Sequence, residues 1–239
     1  MTRATGKPNK EDVSRLDPSL SYEDSKAFYQ SWDVAEDYSF HRWGTPARAH
    51  RNLKKWKTIL EAIALTGGVR TILDLPCGAG RFTGRLAECG FDVIGADISM
   101  EMMEVARTGI GNMDGVDGYV RADAEHLPFA DDSVDCVLSI RFFLHIDAET
   151  RTNILREMGR VSRRWLIIDY RHKYNYRYAM WRLRRSLRLT DAPHDRVSRA
   201  QLEREFGDAG LAVRAVLPVT RAFSDKWIVL CEKTARTSS

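Results

Sequence analysis

The chain has 239 residues, 44% hydrophobic and 29% charged, a composition that can bury one substantial core. No apolar run approaches the ~18 residues of a membrane span and the N-terminus has no hydrophobic signal region, so a soluble, unsecreted, cytoplasmic protein is expected. The four cysteines, Cys77, Cys89, Cys136 and Cys231, are scattered without a Cys-x-x-Cys pair, which predicts free thiols and no metal site.

Residues 1–20 are polar with almost no large apolar group and are expected to form a mobile tail. Residues 21–46 differ, carrying Phe28, Tyr29, Trp32, Val34, Tyr38 and Phe40 among acids. Aromatics this dense need a surface to pack on, so the segment is expected to be helical and either to fold back over a cleft or to cover an edge of the domain. The main domain then occupies 47–239. Its first helix, Ala47 to Leu65, places Leu53, Trp56, Leu60 and Ile63 at helical spacing, with Arg51, Lys54, Lys55 and Lys57 elsewhere around it, and ends at Thr66-Gly67-Gly68.

From there strands and helices alternate. Val69–Leu73 is a short apolar run followed by Asp74-Leu75-Pro76-Cys77-Gly78-Ala79-Gly80 and a helix from Arg81 to Glu88. A second strand, Phe91 to Asp97, precedes a helix that Ser99 can cap, carrying Met100, Met103, Val105 and Ala106. A third strand ends at Asp123-Ala124, a fourth spans Val134–Ile140, and a fifth spans Trp165–Tyr170. Ser198 opens a late helix that stops at Ala209-Gly210, and two last strands follow around 212–219 and 227–232. A βαβα alternation implies a parallel sheet with helices on both faces.

Three successive strand ends thus carry an acid, Asp74, Asp97 and Asp123, along one rim of that sheet. Glycines after the first strand let a ligand approach the backbone, and an acid about 20 residues further on can accept both hydroxyls of a ribose. On these motifs the chain resembles the class I S-adenosylmethionine-dependent methyltransferases of the small-molecule type, over roughly residues 50 to 233. The family's acid-plus-Gly-x-Gly motif is matched by Asp74 to Gly80, its ribose acid by Asp97, and its adenine pair by Asp123-Ala124. Leu127 to Asp135 is similar to the family's lead into its fourth strand.

The resemblance implies a Rossmann-like, mostly parallel seven-stranded sheet closed by an antiparallel hairpin. It implies S-adenosylmethionine as cofactor, S-adenosylhomocysteine as product, and a cofactor site at Asp74, Cys77, Gly78, Ala79, Gly80, Asp97, Ile98, Asp123, Ala124 and Arg141. Arg141 has a second reading, as a contact for an anionic substrate. Since a sulfonium methyl is already electrophilic, the protein chiefly aligns an acceptor and excludes water. Oxygen, sulfur or protonated nitrogen acceptors need a base, and His145, after the fourth strand, is the candidate, with an orienting role as the alternative. Tyr170 and Arg171 are candidate substrate contacts on the same rim.

Between Arg163 and Arg188 lie nine Lys/Arg against one acid, Asp169, leaving 28 basic and 32 acidic residues elsewhere, so the chain's +4 charge is local. A helix is predicted there from Asn175 to Leu189, with Tyr176, Met180, Leu183 and Leu187 on one face. The insertion at about 171–197 falls where this family grows a substrate cover. That face is expected to turn inward over a small-molecule, aromatic or apolar acceptor. The alternatives are docking on an anionic membrane to reach a quinone- or lipid-like substrate, and binding of RNA phosphates. Outside methyl transfer, a dehydrogenase is disfavoured because Thr83 stands where the third glycine of Gly-x-Gly-x-x-Gly belongs. A non-catalytic cofactor-binding relative remains a third class.

Overall fold

A computed structural model describes residues 22–30, 46–143, 146–173, 176–188, 196–220 and 226–234. The strands are β1 (Thr71–Asp74), β2 (Asp92–Asp97), β3 (Val116–Arg121), β4 (Val134–Ser139), β5 (Ser162–Arg171), β6 (Leu211–Pro218) and β7 (Lys226–Lys233). They form one sheet in the order β3-β2-β1-β4-β5-β7-β6. The first five run parallel, and β7 lies antiparallel between β5 and β6. This is the doubly wound α/β architecture that the alternation implied, closed by the terminal hairpin that the resemblance implied.

Described helices are α1 (Tyr22–Tyr29), α2 (Pro46–Ala64), α3 (Arg81–Glu88), α4 (Met100–Ile110), α5 (Ala148–Val161), α6 (Tyr176–Ser186) and α7 (Arg199–Asp208). Successive strand residues point to opposite faces, so the apolar runs of β4 and β5 bury both. On one face Leu166 and Ile168 meet Ile154, Leu155 and Met158 of α5 and Leu202 and Phe206 of α7. On the other, Ile167, Leu138 and Ile72 meet Ile59, Ala62 and Ile63 of α2 and Phe82 and Leu86 of α3. Burying each such side chain contributes about 1.5–3 kcal/mol. Caps set the helix starts: Ser99 accepts from Met102 N, and Ser198 forms a reciprocal capping box with Gln201.

Several side chains depart from their predicted places. Leu53 is 46% exposed, while Lys55, expected on the solvated side of α2, is 5% exposed. The buried stripe of α2 runs through Lys55, Thr58, Ile59, Ala62 and Ile63, offset from the one drawn through Leu53 and Leu60. The predicted inward face of the insertion is overturned more plainly. Met180, Leu183 and Leu187 are 53%, 53% and 59% exposed. Helical spacing fixes that these residues share a face, but not that anything covers it. The Tyr176 side chain, the 1–20 tail, residues 31–45 and His145 lie outside the described residues.

From β1 the chain winds outward through β2 and β3, then returns to β4 and β5 on β1's other side. The order therefore reverses between β1 and β4, and the crevice beyond their carboxyl ends is where such sheets take ligands.

Candidate active site

The loop from β1 to α3 is tied down before it reaches the crevice. Cys77 N donates to Ala96 O at 2.8 Å, and Gly78 N donates to Asp97 Oδ2 at 2.8 Å. Both loop glycines have positive φ, +53° at Gly78 and +73° at Gly80, but their absent side chains do different things. A Cβ on Gly78 would meet nothing within 4 Å, so its backbone opens onto space. A Cβ on Gly80 would lie 2.5 Å from Ile110 Cδ1 and 2.8 Å from Ala106 Cβ. Gly80 thus lets α3 and α4 pack together, whereas Gly78 leaves room for a ligand. Ala79 is half-buried between them.

Two carboxylates flank this opening. Asp74, 1% exposed, accepts from Thr83 Oγ1 at 2.7 Å. Burial pushes its pKa up to about 7, opposed by the Thr83 hydrogen bond and reinforced by the charge of Asp97. Asp97, 5% exposed, accepts from Ser99 N at 2.9 Å through the oxygen not used by Gly78. Its pKa is pushed up to about 6 by burial, against the backbone donors of Ser99, Gly78 and Ile98. A carboxylate can accept about four hydrogen bonds, so each Asp97 oxygen keeps capacity for a hydroxyl. Asp74 has the neutral Thr83 hydroxyl beside it and would be relieved by a cation. The two acceptors therefore fit a ribose diol at Asp97 and an ammonium at Asp74, both of which S-adenosylmethionine carries.

Cys77 lines the same loop as a neutral thiol, since burial and then the charges of Asp97 and Asp74 push its pKa well above the ordinary value. Ile98 is half-buried, and its carbonyl accepts from Arg121 Nε at 3.1 Å. Asp123 and Ala124 follow β3, with Ala124 4% exposed. Asp123 is engaged: its Oδ2 takes Lys26 Nζ at 2.7 Å, and the same ammonium reaches Glu125 at 3.2 Å and Glu23 at 2.8 Å. Burial alone would raise the Asp123 carboxyl, but Lys26 and Glu125 N hold it below its usual range. Tyr22 of α1 meets Phe142 edge-on at 6.0 Å. α1 therefore meets the segments that follow β3 and β4, through Lys26 at Asp123 and Tyr22 at Phe142.

On the crevice's other side Arg141, two residues past β4, has φ +68°, and its backbone N donates to Asp169 Oδ1. Asp169, 2% exposed, also pairs with Lys55 Nζ. Burial would raise its carboxyl, but the Lys55 charge and these donors keep it below the usual range. Tyr170 is not at the rim as a substrate contact. It is 3% exposed, with its hydroxyl donating at 2.6 Å to Glu205, which pairs with Arg151 behind the sheet. An odd–even shift explains the error, since adjacent residues of β5 face opposite sides. Lys26, Lys55 and Lys226 belong to the site's surroundings without having been expected there from the sequence, and Thr83, noted only as the absent third glycine, is the hydrogen-bond partner of Asp74. Lys55 was findable, because it lies four residues before Ile59 and seven before Ala62 on the apolar stripe.

Residues 72–164 match the model of a family described as a methyltransferase domain. The chain is 40% identical over 96 residues to the methyltransferase GfsG of Streptomyces halstedii, covering 38% of this chain and 34% of that protein. It is 43% identical over 93 residues to a demethylmenaquinone methyltransferase of Clavibacter sepedonicus, covering 39% and 37%. An uncharacterized 37.1 kDa protein from transposon TN4556 of Streptomyces fradiae is 33% identical over 192 residues, 72% of this chain and 52% of that one. The matches thus span about a third to a half of these relatives' own length. Among solved structures, magnesium protoporphyrin IX methyltransferase from Synechocystis PCC 6803 with bound S-adenosylhomocysteine superposes with a TM-score of 0.70 at 16% identity, covering 89% of this chain and 99% of the other. That likeness is one of fold.

Proposed function

We infer that this chain, which belongs to the class I S-adenosylmethionine-dependent methyltransferases, moves a methyl group to a small-molecule acceptor held beyond β4 and β5. The observation that carries this reading is the pair of buried carboxylates, Asp74 and Asp97, on either side of the open Gly78 backbone. When bound, S-adenosylmethionine supplies a methyl already activated by its sulfonium. Asp97 would hold the ribose hydroxyls and Asp74 the ammonium, while Gly78 leaves space for close approach. Cys77, Ala79, Ile98 and Ala124 would line the pocket. Asp123, shared with Lys26, would face the adenine, with α1 lying over the rim to exclude water. His145, in the loop after β4, is proposed to take a proton from the acceptor. His145→Ala should then lower turnover by ~10²–10⁴ with cofactor affinity unchanged. Calorimetry with S-adenosylhomocysteine and with NAD tests the cofactor. Tight binding of the first alone supports the reading, and binding of the dinucleotide alone sinks it.

A second reading, a quinone- or lipid-like acceptor reached at a membrane, is favoured by one observation. Met180, Leu183 and Leu187 are exposed on the same stretch as Arg182, Arg184, Arg185 and Arg188, which are also exposed. No helix among the described residues is long and apolar enough to cross a membrane, so such contact would be peripheral, an apolar face in the headgroup region with arginines on anionic lipid.

A further inference from the structure

Two contacts attach α1 to the domain, and they do different things. Tyr22 meets Phe142 edge-on at 6.0 Å, Phe142 meets Phe143 at 5.4 Å, and Phe143 stacks on Tyr170 at 5.6 Å. Phe143 and Tyr170 are buried, so this file of rings runs from α1 into the core and seats the helix without any charge. One turn further along α1, the Lys26 ammonium lies 4.3 Å from the centre of the Tyr22 ring. It reaches Asp123 Oδ2 at 2.7 Å and Glu125 Oε2 at 3.2 Å in the segment after β3, and Glu23 Oε1 of its own helix at 2.8 Å.

An ammonium has three N–H donors, and these three carboxylates can take them all. Glu23 is exposed and three residues away on the same helix, so that pair contributes little. Lys26, Asp123 and Glu125 are each partly buried, and pairing there carries a desolvation cost. Burial alone would push the Lys26 pKa down, but its hydrogen bonds to Asp123, Glu23 and Glu125 hold it above the ordinary value. A helix already seated on aromatic rings does not need this pair to stay attached. What the pair adds is order at Asp123. Its Oδ2 is fixed by Lys26 and its Oδ1 by Glu125 N at 3.1 Å, so the carboxylate cannot swing. Since a carboxylate accepts about four hydrogen bonds, it still has room for a ligand's donor.

We propose that Lys26 is a positioning residue for cofactor recognition, holding the Asp123 carboxylate in the orientation that accepts from the exocyclic amine of adenine. The inference rests on the methyltransferase reading and deepens it, because selection of adenine over a 6-oxo purine then depends on α1. A 6-oxo purine presents an oxygen where adenine presents N–H, and a fixed carboxylate repels it. Sites with a placed hydrogen-bonding partner discriminate far more sharply than sites shaped only by apolar contact. Without Lys26 the two acids that share it are left as like charges with no cation, and Asp123 is free to turn away.

The test is calorimetry with S-adenosylhomocysteine and its 6-oxo counterpart, S-inosylhomocysteine. The wild type should bind the adenine ligand at least about 30-fold more tightly. Lys26→Met keeps the apolar stem beside Tyr22 and removes the charge. It should weaken S-adenosylhomocysteine about tenfold and leave S-inosylhomocysteine within about threefold, so that the preference collapses. The retained affinity for the second ligand also shows that the variant is folded. Lys26→Arg restores the charge and should recover most of the preference. The proposal is overturned if the wild type does not distinguish the two ligands, or if Lys26→Met binds S-adenosylhomocysteine as tightly as the wild type or more tightly. It is equally overturned if Lys26→Met weakens both ligands alike, because α1 would then be a cover only, or if Lys26→Arg does no better than Lys26→Met. Failure of the wild type to bind either ligand would instead remove the methyltransferase reading beneath it.

Discussion

Replacing Asp97 with Asn separates what that residue does for a ligand from what it does for the fold. In the folded protein its two oxygens accept from Gly78 N at 2.8 Å and Ser99 N at 2.9 Å, and each keeps capacity for a ribose hydroxyl. A hydrogen bond to a charged acceptor is worth about 1.5–3 kcal/mol. Asn keeps one neutral acceptor oxygen, so one such bond is lost and the other weakened, which should cost about 2–4 kcal/mol, or ~10–10³-fold in the Kd of S-adenosylhomocysteine. Stability should move far less, because two effects oppose. Asn turns an N–H₂ toward one backbone N–H, costing about 1–3 kcal/mol. It also removes a carboxylate whose pKa burial has pushed up to about 6 from the ordinary 3.8. That rise corresponds to about 3 kcal/mol of unfavourable ionisation at neutral pH. The assay is calorimetry paired with a thermal melt at pH 8. A folded Asp97→Asn protein that binds S-adenosylhomocysteine within about threefold of wild type would refute the assignment of Asp97 to the ribose.

Two further outcomes follow from the same structure. Asp74 and Asp97 both have folded pKa values raised above their unfolded ones, to about 7 and about 6. The folded state therefore keeps protons that the unfolded chain has released. Stability of the ligand-free protein should fall as pH rises from about 4 to about 7 and then level off, while S-adenosylhomocysteine, which favours both ionised forms, should bind more tightly across the upper part of that window. Melts and titrations from pH 5 to 8 check this, and an affinity that weakens with rising pH would contradict the roles given to the two acids. For the exposed stretch around α6, cosedimentation with phosphatidylglycerol vesicles should be strong at low salt and lost at high salt. Changing Arg182, Arg184, Arg185 and Arg188 to Gln should reduce it by about a hundredfold or more, at about 1 kcal/mol per charge. Equal sedimentation with neutral phosphatidylcholine vesicles would rule out the anionic-membrane contact.

Much of the scaffold was legible because it is written in local patterns. The acids that end β1 and β2, the Ser99 and Ser198 caps and the apolar runs of β4 and β5 depend on neighbouring residues, and the structure places them where those patterns point, with Asp123 two residues past the end of β3. What stayed hidden depends on contacts across the chain. Lys26 reaches Asp123 over 97 positions, and Lys55 reaches Asp169 over 114. Neither spacing carries a sequence signal, although the apolar stripe of α2 placed Lys55 on the buried face. Tyr170 and Arg171 looked equivalent in sequence, yet alternation along β5 sends the tyrosine to Glu205 and leaves the arginine at the rim. Gly78 and Gly80 likewise share a motif but not a purpose, because only one of them faces a neighbouring helix. The Met180–Leu183–Leu187 face shows the converse limit, since periodicity defines a face without naming what covers it.

The central claim is that methyl transfer occurs at the crevice between β1 and β4, and a labelling experiment reaches it most directly. Purified protein is incubated with methyl-labelled S-adenosylmethionine and a small-molecule cell extract, alongside the Asp97→Asn variant, and the products are resolved by mass. Label should appear in an extractable small molecule, with S-adenosylhomocysteine formed in equal amount, and the variant should show neither at the same cofactor concentration. Tight binding of S-adenosylhomocysteine without label in any product across extracts would make the chain a cofactor-binding protein rather than a methyltransferase.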